Sequence, residues 1–202
     1  NNPILFVDPD GTVPDDYFNM NGVYLGSDDA ETDNVRVIDQ MSWDVAKTMD
    51  NFVESIDHEI GTELSVAHSE SDISEEASLN IYNHYNPTDL DVIAHDEDGG
   101  SGGLTFASNQ KSESVIKVKL ESNARDKVSD HANEITSMFV HEQTHYNDFK
   151  RLGPIDYYSF PKELRETRAY INQIDHPSFK KTRPVFQQAV QNSFRKYGIT
   201  NK

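Results

Sequence analysis

Two histidines and a glutamate in the second half of the chain have the spacing of a metal-dependent hydrolase. The segment His141-Glu142-Gln143-Thr144-His145 is an H-E-x-x-H motif. Residues i and i+4 of a helix share one face, so both imidazoles can reach one cation, and neutral imidazole binds zinc at about 2.0–2.1 Å. Zinc lowers the pKa of a bound water to about 7, and the carboxylate of Glu142 could take its proton. The motif therefore predicts a zinc site with Glu142 as general base.

A third metal ligand is expected from a later element, because a catalytic zinc takes three protein ligands and leaves a fourth position open. Glu163, Glu166 and Tyr170 share one face of the next predicted helix, at steps of three and four residues. We predict Glu166 as the third ligand and keep Glu163 as the alternative. Asp148, three residues after His145, is predicted to hydrogen-bond a ligand's free ring nitrogen, to bind the metal, or to be an ordinary solvated helix residue.

A hydrogen-bond donor for the oxyanion of the transition state is also expected. The candidates near the predicted ligands are Tyr157, Tyr158, Tyr170 and His176. Tyr158 and Tyr170 flank Glu166 in sequence, and we predict these two as catalytic residues. The alternative for each is a core position, because tyrosines at helix interfaces commonly fill the core.

The hydrophobic pattern predicts the elements that position these residues. A helix from about Asp130 to Leu152 carries the motif and ends at Gly153-Pro154. A second helix is predicted from Pro161 to about Asp175, and a third over about 184–197. Residues 114–121 alternate as a half-buried strand, which we expect at the edge of a sheet because lysines line it.

The first half of the chain has mixed signals. The pattern predicts a hairpin around Asn21-Gly22, helices over 41–60 and 73–85, and short strands at 91–95 and 104–107. A mixed first half, then strands and then three helices predicts an α+β fold. In it, a small sheet packs on the active-site helix and C-terminal helices follow.

Composition narrows the alternatives. The chain has 202 residues, no cysteine and a net charge of −17. The absence of cysteine excludes disulfides and cysteine zinc ligands. The negative net charge argues against a nucleic-acid partner. Residues 1–100 carry 24 acidic and 2 basic side chains (net −22), and residues 101–202 carry 11 and 16 (net +5). The sequence contains no run of eighteen apolar residues, which is about the length that a membrane-spanning helix needs. The first residue is Asn rather than Met, so we expect a fragment or a processed product.

The motif and its downstream glutamate resemble the gluzincin metallopeptidases over about residues 114–176. The interval from His145 to Glu166 is similar to theirs, and Glu166-Thr167-Arg168-Ala169-Tyr170 resembles the E-x-x-A-Y helix of small members. The resemblance implies a zincin-like fold and Zn²⁺ held by His141, His145 and Glu166, with Glu142 as base. It also implies an edge strand, here 114–121, that pairs with an extended substrate.

The N-terminus resembles a different family. Asn1-Asn2-Pro3 followed by Asp8-Pro9-Asp10-Gly11 is similar to the end of the core repeat region in Rhs/YD-repeat polymorphic toxins. This resemblance implies that a toxin domain follows, that it is secreted or delivered into a target cell as part of a larger protein, and that a cognate immunity protein neutralises it. We accordingly expect an N-terminal arm at 1–40 and a metallopeptidase domain at 41–202.

The sequence thus favours a zinc endopeptidase that acts as a delivered toxin on a protein or peptide substrate. Two alternatives remain open. The same ligands would serve a zinc amidase that acts on cell-wall peptides. A bound metal could also merely stabilise a non-catalytic binding module.

Overall fold

A computed structural model describes residues 14–28, 32–48, 60–95, 103–109 and 113–197 of the chain. Its strands are β1 (Asp16–Phe18), β2 (Tyr24–Ser27), β3 (Val35–Val37), β4 (Thr62–Glu63), β5 (Val92–Ala94), β6 (Leu104–Ser108) and β7 (Ser114–Val118). Its shorter helices are α1 (Gln40–Thr48), α2 (Leu64–Ser69), α3 (Glu75–His84), α4 (Leu120–Arg125), α6 (Pro154–Ser159) and α8 (Pro177–Lys181). Its longer ones are α5 (Ala132–Leu152), α7 (Lys162–Asp175) and α9 (Pro184–Tyr197). The predicted α+β class is confirmed.

The first sheet has the strand order β2-β1-β3-β4. Strands β1 and β2 pair antiparallel, as the predicted hairpin requires, and β3 joins β1 in parallel. Gly22 lies in the β1–β2 turn at φ +74°, where a Cβ atom would approach the Ala77 carbonyl oxygen to 2.2 Å. Only glycine fits there, because both the backbone conformation and the space exclude a side chain.

The second sheet has the order β5-β7-β6. Strand β7 is therefore central, pairing with β5 in parallel and with β6 antiparallel. The prediction that residues 114–121 form an edge strand was wrong. Alternating lysines indicate which face of a strand is more exposed to solvent, but they do not indicate which strands pair with its two edges. Within the described part of the chain, β6 is the edge strand that contacts helix α5.

The helices that carry the motif agree with the sequence pattern. Helix α5 is 21 residues long and ends at Gly153, which has a positive φ of 77°. The chain then makes the short helix α6, which was not predicted, before α7 begins. The predicted helix over 41–60 is confirmed as far as Thr48; its remainder lies outside the described residues, apart from Ile60, which is not helical.

One hydrophobic core joins the two sheets to the motif helix. It contains Phe18 and Val35 from the first sheet, Ile116 from the second, and Ile135 and Phe139 from α5. Strands β1 and β3 therefore share their core with the motif helix, and the domain boundary expected at residue 40 stays a prediction. A smaller cluster, Phe179, Phe186 and Val190, packs against Met138 and Tyr170 and holds α9 beside the motif helix.

Among the described helices, none is both long and apolar enough to cross a membrane.

Candidate metal centre

His141, His145 and Glu166 converge between helices α5 and α7. The Nε2 atoms of the two histidines lie 3.2 Å apart. The Glu166 Oε2 atom is 3.4 Å from Nε2 of His141 and 3.7 Å from Nε2 of His145. These three donor atoms could hold a metal ion, as the sequence predicted for these residues.

Helix periodicity explains how two elements assemble the three side chains. His141 and His145 lie one turn apart on α5 and face α7, to which Glu166 belongs. Ala169, one turn after Glu166, has no exposed surface, so the two helices can approach closely. Between them, the Asn172 side chain donates a hydrogen bond to Thr144 Oγ1 at 3.1 Å.

The charges of the cluster are strongly coupled. Burial disfavours the charged form of Glu166, but its contacts with His141 and His145 outweigh burial and hold its pKa well below the usual value. Burial alone would lower the pKa of His141, yet the neighbouring Glu166 and Glu142 raise it above the ordinary value. The site thus favours the ionised carboxylate of Glu166 facing a cationic or metal-bound His141.

A second layer of polar contacts orients His141. Its Nδ1 atom lies 3.2 Å from Oε1 of Gln173, whose amide nitrogen donates to Ser137 Oγ at 3.1 Å. Oε1 of Gln173 accepts a hydrogen bond from the Nδ1–H group of His141, so the lone pair of His141 Nε2 stays available for a cation. Sequence reasoning missed Gln173, although it lies seven residues after Glu166 and therefore on the same helix face.

Glu142 lies beside the metal-binding group and is buried, with 8% of its surface exposed. Its Oε2 atom accepts a hydrogen bond from the Phe106 backbone N–H at 2.6 Å. Burial raises the pKa of Glu142, although the two histidines and the Phe106 amide lower it in part. This hydrogen bond connects the carboxylate to the edge strand β6. No sequence motif indicated the contact.

The structure separates the two candidate third ligands. Glu166 belongs to the convergent group, whereas Glu163 is exposed on the surface of α7. Asp148 pairs with Arg151 at 3.2 Å and with Arg168 at 3.1 Å. Asp148 therefore joins α5 to the helix that carries Glu166, a role that its position in the sequence does not indicate.

The candidate hydroxyl donors occupy different surroundings. The Tyr170 ring packs 4.4 Å from the His141 ring, and the buried Tyr157 ring lies 6.5 Å from that of His145. Tyr158 is directed to the end of β6, where its hydroxyl donates to the Ser108 carbonyl oxygen at 3.1 Å. His176 accepts a hydrogen bond from the Ser178 N–H and caps helix α8. Of these candidates, Tyr170 and Tyr157 are thus the tyrosines whose rings lie near those of His141 and His145.

A cavity of about 540 Å³ adjoins the centre. His141, Glu142 and Tyr170 form one side of it, and Met138, Phe186 and Val190 contribute apolar surface. A side chain of a bound molecule could occupy this space while its backbone lies next to Glu142.

In comparisons with known proteins, no family model, no curated protein and no solved structure matches this chain.

Proposed function

We propose that the protein is a zinc-dependent endopeptidase. The observation that carries the proposal is the convergence of His141, His145 and Glu166, with the buried carboxylate of Glu142 directly beside them. A purely structural metal site has no need of a further buried carboxylate next to the ligands, whereas hydrolysis needs a base there.

Zinc fits the donor set. Two imidazole nitrogens and one carboxylate oxygen are a ligand combination common in catalytic zinc sites. Donor atoms bound at about 2.0–2.1 Å in tetrahedral geometry are separated by about 3.4 Å. The separations of 3.2, 3.4 and 3.7 Å among Nε2 of His141, Nε2 of His145 and Oε2 of Glu166 agree with that value.

The metal, Glu142 and a tyrosine would each have a separate role in peptide hydrolysis. A bound zinc would act as a Lewis acid, acidifying water and polarising the substrate carbonyl. Glu142 would accept the proton of the attacking water and later deliver it to the departing amine. Since Oε2 of Glu142 is held by the Phe106 N–H, Oε1 is the atom proposed to carry that proton. Tyr170 or Tyr157 would donate a hydrogen bond to the developing oxyanion.

A peptide substrate is favoured by the edge strand next to the site. Strand β6 contacts helix α5, and Phe106, in its middle, reaches Glu142. An extended peptide that pairs with this edge would bring a backbone carbonyl to the metal-binding group. The adjoining cavity would then receive one of its side chains.

We further propose that the enzyme is a delivered toxin domain with a cognate immunity protein. The support is the N-terminal motif of residues 1–11, which lie outside the described residues. Co-expression with candidate immunity proteins tests this part: one that binds the chain and restores growth of cells expressing it supports the proposal.

The experiment for the proposed activity uses two substrates. The zinc-loaded protein is incubated with unfolded casein and, separately, with cell-wall muropeptides, and new amino termini are counted by mass spectrometry. Cleavage of casein supports an endopeptidase. Cleavage of muropeptides alone would replace it with the amidase, and cleavage of neither substrate would contradict a hydrolase.

A further inference from the structure

Arg165 holds a positive charge beside the metal centre. Its guanidinium carbon lies 4.6 Å from the ring centroid of Tyr157 and 5.4 Å from that of Tyr158. Tyr157 is buried and packs near His145, and Arg165 itself precedes Glu166 in the chain. The two rings support the cation by cation–π attraction and limit its movement.

This cation has no carboxylate partner within the described part of the chain. Arg151 and Arg168 share Asp148, and Arg183 pairs with Glu134. Arg165 forms no ion pair with any residue that the structure describes. Its Nε atom is also buried without a hydrogen-bond partner there. A carboxylate from an incoming molecule would give the guanidinium the ionic partner that it lacks among the described residues.

The edge strand fixes where Arg165 lies relative to a paired peptide. Tyr158, one of its two supports, hydrogen-bonds the Ser108 carbonyl oxygen at 3.1 Å, and Ser108 is the last residue of β6. Phe106, which contacts Glu142, is two residues earlier, or about 7 Å along a strand. A peptide paired with β6 therefore has a side chain close to Arg165 about two residues from the bond at Glu142.

We infer that Arg165, supported by Tyr157 and Tyr158, binds a substrate carboxylate and selects peptides with Asp or Glu about two residues from the cleaved bond. This inference rests on the proposed peptidase function. A planar guanidinium binds a carboxylate through two parallel hydrogen bonds.

The test is a cleavage profile on a randomised peptide library, followed by matched peptides with Glu or Gln at the selected position. The parent is expected to favour Glu, and Arg165→Met to reduce the Glu-to-Gln ratio of kcat/KM roughly tenfold. Arg165→Lys, which keeps the charge without the planar fork, is expected to be intermediate. The control is Lys162→Gln, which removes one charge from the exposed start of the same helix. The Lys162 ammonium group lies over the ring of Tyr197, so its loss is expected to leave the Glu-to-Gln ratio unchanged.

A second readout does not depend on turnover. Binding of fluorescein-labelled Glu and Gln peptides to the Glu142→Gln protein, with and without Arg165→Met, is measured by anisotropy. The Glu peptide is expected to bind more tightly, and Arg165→Met to abolish the difference.

The possible outcomes separate the two levels of the proposal. A purely structural Arg165 would lower cleavage of both peptides equally and reduce the melting temperature, which would overturn the inference. Cleavage by the parent without acidic selection would overturn it as well and leave the peptidase intact. No cleavage of any peptide by the zinc-loaded parent would overturn the proposed function and this inference with it.

Discussion

Nδ1 of His141 and Oε1 of Gln173 lie 3.2 Å apart in the buried interface between α5 and α7. The hydrogen bond fixes both the tautomer and the ring orientation of a proposed zinc ligand, and Ser137 in turn holds the amide. The candidate metal centre thus has three layers, in which Ser137 orients Gln173, Gln173 orients His141, and His141 faces Glu166.

Replacing Gln173 is expected to weaken metal binding. Gln173→Leu removes the acceptor and should raise the zinc dissociation constant by about 10–100-fold, measured by competition with a chelator. Gln173→Glu keeps an acceptor and should retain most of the affinity. Gln188→Leu, on the exposed face of α9, is the matched control. Parent-like affinity in Gln173→Leu would show that His141 needs no such support.

Glu142→Gln is expected to separate binding from catalysis. The amide oxygen can still accept the Phe106 N–H, so the fold and the zinc content should be unchanged. Peptide cleavage should fall by about 100-fold or more, because the proton acceptor is lost. Activity and zinc content are measured on the same preparation, and a variant as active as the parent would remove Glu142 from the mechanism.

Helix geometry was sufficient to predict that His141, His145 and Glu166 come together in the fold. The i, i+4 spacing of His141 and His145, and the position of Glu166 on a following helix, determine which side chains can meet. Glu163 shares a face with Glu166 in a helical projection, but it lies one turn nearer the start of α7 and is exposed. Only the packing of α7 against α5 distinguishes the two glutamates.

Other features depend on contacts between distant parts of the chain. Strand β7 is central because β5 and β6 pair with its two edges, and the residues of β7 alone do not encode those neighbours. Proximity in sequence to Glu166 favours Tyr158 as a catalytic residue, yet Tyr158 lies on helix α6 and its hydroxyl hydrogen-bonds Ser108. The amide of Phe106 belongs to no motif, because any residue could supply a backbone N–H.

Asp33 is expected to make the free energy of unfolding depend on pH in the acidic range. Burial raises the pKa of Asp33, but hydrogen bonds from His131 and the Asn133 N–H outweigh burial and lower it below the ordinary value of 3.8. A group whose pKa is lower in the folded state stabilises the fold above its unfolded pKa, and this contribution is lost as the pH falls through the folded value.

Asp33→Asn should therefore lower the free energy of unfolding at pH 7 by about 1 kcal/mol. The difference from the parent should shrink below pH 4, as followed by urea titration at several pH values. Asp44→Asn, at an exposed ion pair with Lys47, serves as the control and should match the parent. A constant difference between Asp33→Asn and the parent down to pH 2 would argue against the linkage.

Glu134 forms a buried ion pair and is expected to be sensitive to substitution. Its carboxylate is fully buried and receives Arg183 Nε at 2.7 Å and Arg183 Nη2 at 2.8 Å, which fastens the start of α9 to α5. Glu134→Gln leaves the guanidinium without its counter-charge and should destabilise the fold by about 3 kcal/mol. Glu63→Gln breaks a surface pair with Lys127 and should have little effect on thermal unfolding. Equal stability of the two variants would contradict this account.

The central claim is that His141, His145 and Glu166 bind one zinc ion, and its most direct test is metal stoichiometry by native mass spectrometry. The parent and Glu163→Gln should each carry close to one zinc per chain after incubation with the metal, and Glu166→Gln should lose most of it. No zinc in the parent, or retention in Glu166→Gln with loss in Glu163→Gln, would contradict the proposed centre.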